Sequence, residues 1–183
     1  MDYPTIQDIS KRIYMVDKLI QVEVTGKKSA TRVLRFEDIR HFVDTQHLFY
    51  AKDGEHIPDQ NCIYQPSIII PRKGKAVVID PLEGEMVYVS FNAYIIEVGT
   101  KLANPYYICA LLNSGSIHYD YDKPPADFEW SPPSIDRIKD YILLDADIAD
   151  QNEIAERYKV LNRELYNMHL GIREKEYELF TLL

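Results

Sequence analysis

Gly26-Lys27-Lys28-Ser29 is the stretch nearest to a phosphate-binding loop, in which backbone N–H groups and a lysine cradle a nucleotide. It lacks the residues that make such a loop work, because Gln21 stands where the first glycine belongs and Lys28 follows Lys27 in place of Ser or Thr. None of the seven glycines forms a Gly-x-Gly, which removes the simplest dinucleotide and S-adenosylmethionine loops. His41 and His47 have neither the i, i+4 spacing nor the carboxylate partner usual for zinc, and read as surface or core histidines. Asp80, Glu83 and Glu85 have the donor type for a hard cation, but grouped around Gly84 they read as a solvated turn. Cys62 and Cys109 lack CxxC spacing and sit among apolar residues, the pattern of buried free thiols in a reducing cytoplasm.

Two further chemistries fail on composition at fixed positions. A PD-(D/E)xK nuclease needs an acid two residues before a lysine, and no lysine here has one. Asn104-Pro105-Tyr106-Tyr107 is similar to the Asn-Pro-Pro-Tyr tetrad of adenine methyltransferases, but the second proline is missing and no cofactor loop precedes it. Pro105 suits the first turn of a helix better. No Ser/His/Asp or Cys/His constellation is visible either. No catalytic residue, metal or cofactor is therefore assigned.

The elements that would carry a binding function are clearer. In 183 residues, 46% of them apolar, there is room for one substantial core or one core plus a helical appendage. No secretory signal is expected, and the apolar runs 68–70 and 142–144 fall far short of the roughly 20 residues that span a bilayer, so no membrane partner is expected. The net charge of −8 opposes nucleic-acid binding at first sight, yet it is unevenly placed. Residues 126–183 hold 7 Lys and Arg against 13 Asp and Glu, whereas residues 11–40 hold 8 against 4.

Helical spacing of Ile6, Ile9, Ile13, Tyr14 and Val16 predicts a first helix within residues 3–16. Strands are predicted at 31–36, 63–70, 76–80, 86–90 and 93–98, with turns at Arg72-Lys73-Gly74-Lys75 and around Gly84. A helix is predicted over 106–112, and residues 120–134, with four prolines and the only tryptophan, read as an irregular loop. The fold class expected is α+β, a mostly antiparallel β-rich domain followed by a long C-terminal coiled-coil helix. In that helix, predicted over about 150–182 with Asp150 and Glu153 as its capping box, Ile154, Tyr158, Leu161, Leu165, Met168, Ile172, Leu179 and Leu182 fall on steps of three and four. Lys175 interrupts this seam once. A helix of about 50 Å exceeds what so small a domain covers, so the seam requires a partner helix.

Three blocks together resemble half of a DNA specificity subunit of type I restriction–modification systems. Ser67-Ile-Ile-Ile-Pro-Arg72-Lys-Gly74, running on to Val89-Ser90-Phe91-Asn92-Ala-Tyr94-Ile-Ile96, is similar to that family's strand, basic turn and polar-aromatic strand. Asn104-Pro-Tyr-Tyr-Ile-Cys-Ala-Leu-Leu-Asn-Ser114 resembles its "P-x-Y-L…L-x-S" helix, and Ile142-Leu-Leu-Asp…Asp150-Gln151-x-x-Ile154-Ala155 its lead-in to a conserved long helix. The segment 32–39, Arg32-Val-Leu-Arg-Phe-Glu-Asp-Ile39, adds to the likeness. The third block lacks its usual proline, and the family typically carries two such halves in tandem.

The resemblance implies a target recognition domain over 1–140 and, over 141–183, a long helix for dimerisation and methyltransferase docking. The partners implied are double-stranded DNA, an adenine methyltransferase subunit and a second copy of the chain, with no catalysis by the chain itself. Lys27, Lys28, Arg32, Arg72, Lys73 and Lys75 are the candidates for phosphate contacts, and Asn92, Tyr119, Tyr121 and Lys123 for reading base edges. Two rivals stay open: a protein-interaction module that exchanges or blocks subunits without DNA selectivity, and an enzyme of a class not recognised.

Overall fold

Ile68, Ile69 and Ile70 are each at most 3% exposed, because their strand is covered on both faces. A computed structural model describes residues 4–39, 42–72, 74–114, 135–140, 143 and 146–181. Its elements are α1 (Ile6–Ile9), β1 (Ser10–Val16), β2 (Val24–Thr25), β3 (Thr31–Leu34), β4 (Tyr50–Ala51), β5 (Cys62–Ile63), β6 (Ser67–Pro71), β7 (Val77–Ile79), β8 (Met86–Val89), β9 (Ala93–Val98), α2 (Pro105–Ser114), α3 (Ile135–Lys139) and α4 (Ile148–Thr181). Single 3-10 turns lie at Phe36–Asp38, Thr45–His47 and Asp59–Asn61.

Two sheets stack, one ordered β1-β9-β6-β7 and the other β2-β4-β3-β8-β5. Every strand pair is antiparallel except β3 with β8. The alternation of side chains along β6 sorts the core. Ile68 and Ile70 join Val78, Ile96 and Val98 against the helices, whereas Ile69 joins Val77, Ile79 and Ile95 against Leu34, Ile63, Val87 and Val89 of the second sheet. A smaller cluster, Val33, Ala51, Cys62 and Tyr88, covers that sheet's outer face. The domain is thus a mostly antiparallel β body with helices on one side, followed by one long C-terminal helix, the fold class that the sequence patterns imply. Among the described residues no helix is long and apolar enough to cross a membrane.

Several local expectations need correction. The first helix is a single turn, capped by Thr5, after which the chain becomes β1 and pairs with β9 along its length. The β-branched and aromatic residues Ile13, Tyr14 and Val16 suit that pairing, and so short a run is ambiguous in period. The strand expected over 63–70 is two, β5 and β6, which belong to different sheets. The cap of α4 is Asp147 and not Asp150, since Asp147 Oδ1 accepts from the backbone N–H of Ala149 at 2.8 Å and of Asp150 at 2.9 Å. The expected loop at 120–134 and the end of the seam at Leu182 lie outside the described residues.

Candidate functional site

α4 is 34 residues long and docks on the body through its first turns. Gln151 and Ala155 are buried there, and Tyr158 and Asn162 are half-buried on the same side. Gln151 Oε1 accepts from the backbone N–H of Asn104 at 3.0 Å, and Asn104 Nδ2 donates to Asn152 Oδ1 at 2.7 Å. Asn104 Oδ1 also accepts from the N–H of Tyr106 at 3.0 Å, so the residue that caps α2 ties it to α4. Two turns further along α4, Asn113 Nδ2 donates to Tyr158 Oη at 2.7 Å and to the Ala76 carbonyl at 2.8 Å, while the Cys109 thiol lies 3.6 Å from Tyr158 Oη. Burial pushes the Cys109 thiol up to about 12 and raises the Tyr158 phenol well above its ordinary value.

This arrangement splits the predicted seam. Tyr158 turns toward the body, whereas Ile154, Leu161, Leu165, Met168, Ile172 and Leu179 are between 45% and 65% exposed. At about 100° per residue, the exposed stripe and the docking row Gln151, Ala155, Asn162 and Tyr166 lie about a quarter-turn apart on the helix. Lys175, the polar interruption, bonds Glu178 of its own helix at 2.7 Å.

The basic candidates do not form one surface. Arg32 must be withdrawn as a phosphate contact. It is 5% exposed, ion-paired with Glu85, and donates to the carbonyls of Gln46 at 3.0 Å and Leu48 at 3.1 Å with its guanidinium over the Tyr50 ring. The hydrogen bond from Arg32 holds the Glu85 carboxyl below its ordinary range. Glu85 is therefore committed as well, and among the described residues no three His, Cys, Asp or Glu side chains group to hold a metal.

Lys27 and Lys28 are exposed between β2 and β3, and Lys28 acts electrostatically on Glu85, just before β8 begins. Arg72 and Lys75 are exposed in the β6–β7 turn, where Gly74 takes a φ of +97° that favours glycine. The pair Pro71–Ala93 closes the β6–β9 ladder, so the next residues, Arg72 and Asn92, come to the same end of the sheet. The two basic groups therefore flank opposite ends of β8, four residues or about 13 Å of strand. Asn92 is half-buried, and its Oδ1 is enclosed with no hydrogen-bond partner among the described residues. Lys73, Tyr119, Tyr121 and Lys123, like His41, lie outside the described residues.

Reading the sequence by charge missed the contact between α4 and the connection from β3 to β4. Phe42 meets Tyr166 edge-on at 6.4 Å, and the Arg163 guanidinium lies 5.2 Å over the Phe42 ring. Beyond that contact a cleft of about 310 Å³ opens, with Arg35, Asp38, Asp44 and His47 on one wall and Leu170 and Arg173 on the other. His47 pairs with Asp44 at 3.2 Å and is exposed. Tyr166 has helical spacing from Tyr158 and Asn162, the one signal that could have marked this second face.

Compared with known families and curated proteins, the chain matches no family model and no curated sequence.

Proposed function

We propose that this chain is a non-catalytic DNA-reading subunit, and within that class one half of a type I specificity subunit. Two copies, joined through α4, present two recognition domains to two half-sites and direct an adenine methyltransferase. The observation that carries this reading is the apolar stripe on α4: six large side chains, from Ile154 to Leu179, stay about half-exposed along a helix that the body holds by another face. A stripe with this spacing buries itself against a second helix. Asn104 and Gln151, from two of the sequence blocks that carry the resemblance, bond one another where α4 meets the body. Arg72 and Lys75, with Asn92 beside them, are the described residues best placed to meet a phosphate backbone.

The test is binding of fluorescent duplexes with randomised sequence, with and without the adenine methyltransferase encoded nearest to this gene. The chain alone binds weakly, and the complex enriches particular sequences with an affinity that falls steeply with salt. Complexes that form through α4 but enrich no sequence would favour the second reading, an interaction module. That reading has one observation behind it, the net charge of −8 with the exposed candidates for phosphate contacts divided between two places.

A further inference from the structure

We propose that Phe42 is a positioning residue, a strut that fixes the direction in which α4 runs from the body. A rod held at one end pivots, and one held at two separated points does not. The first attachment is the bonded group Asn104, Gln151, Asn113 and Tyr158 at the start of α4. The second is Phe42 against Tyr166 and Arg163, two turns past Tyr158 or about 12 Å along the axis.

The strut is itself well founded. Val43, next to Phe42, is 7% exposed in the core between the sheets, as is Leu48. Thr45 Oγ1 donates to the Asp80 carbonyl at 3.1 Å, and Asp38 bonds both the backbone and the guanidinium of Arg35. The Phe42 ring thus stands on a segment tied at several points to the β body. α4 continues 15 residues past Tyr166 to Thr181, about 22 Å, so a small change of angle at the strut becomes a large displacement at the tip. The inference draws its meaning from the proposed function, where the direction of α4 sets the distance between two half-sites. Its test needs neither DNA nor methyltransferase.

Spin labels at Glu83→Cys and Glu176→Cys, both exposed positions, report the body-to-tip distance in labelled chain diluted with unlabelled chain. The native Cys62 and Cys109 are buried and stay unlabelled. The parent chain gives one sharp distance. Phe42→Ala and Tyr166→Ala each replace it with a broad distribution while helical content stays unchanged, and Phe42→Tyr restores the sharp peak. Tyr166→Ala alters a side chain on the surface of α4 and tests the strut even where Phe42→Ala disturbs folding. A sharp, unshifted distance in the Tyr166→Ala chain would overturn the proposal. A methyltransferase complex that enriches no sequence would count against the proposed function and leave this distance measurement standing.

Discussion

The backbone N–H of Asn104 donates to Gln151 Oε1 at 3.0 Å, joining the cap of α2 to the first turns of α4, while Gln151 Nε2 donates to the Ala146 carbonyl at 2.9 Å. Gln151 is 8% exposed, so its removal strands polar backbone groups away from water. Gln151→Ala is expected to cost about 1–3 kcal/mol, read from urea denaturation. Gln151→Glu keeps the acceptor but loses the donor, and is expected to fall between the two.

Arg32 tests the difference between a charge that holds the fold and one that meets DNA. Breaking a buried pair leaves its partner uncompensated, so Arg32→Met should lose about 3–5 kcal/mol of stability. Glu85 is held below its ordinary value by Arg32, so the stability it contributes is present above the unfolded value of 4.5 and is lost as pH falls through the lowered folded value. Urea midpoints across an acid series should fall more steeply in the parent chain than in Arg32→Met. The salt slope of DNA binding should be the same in both.

At alkaline pH the buried thiols are the first of the groups raised by burial to lose protons in the unfolded chain, ahead of Tyr14, Tyr64, Tyr106 and Tyr158. Burial pushes Cys62 to about 11 and Cys109 to about 12, from an ordinary 9.0. Between those values the unfolded chain has released protons that the folded chain retains, so stability falls as pH rises above 9. The melting temperature should decline over that range, less steeply in Cys109→Ala. A water-soluble thiol reagent should reach neither cysteine until the chain unfolds.

If Arg72 and Lys75 contact phosphates, neutralising either should lower the magnitude of the salt slope by about 1 and weaken binding evenly across sequences. Melting temperature should not move, since both side chains are exposed. The same changes at Lys27 and Lys28 show whether DNA reaches the other end of β8.

Much of the fold was legible where the determinants are local. The isoleucine run of β6, the turn at Gly74 and the heptad steps of α4 each announce their element within a few residues. What escaped depends on partners far along the chain. β1 is a strand because β9 lies beside it, some 80 residues later in sequence. Arg32 has the composition of a phosphate contact, and Glu85, 53 residues away, makes it a buried tie. The site was legible in the same measure. The spacing of the α4 stripe marks an exposed apolar edge, but it could not separate Tyr158, which Asn113 draws to the body, or reveal that Phe42 meets Tyr166.

Pairing through the α4 stripe is tested most directly by sedimentation equilibrium on the parent chain and on Leu165→Glu, a change at an exposed position that leaves the body untouched. The parent chain should sediment at twice its 21.4 kDa mass, and Leu165→Glu at the mass of one chain with an unchanged melting transition. A parent chain that stays monomeric at every concentration, or a Leu165→Glu chain that remains a dimer, would contradict the account.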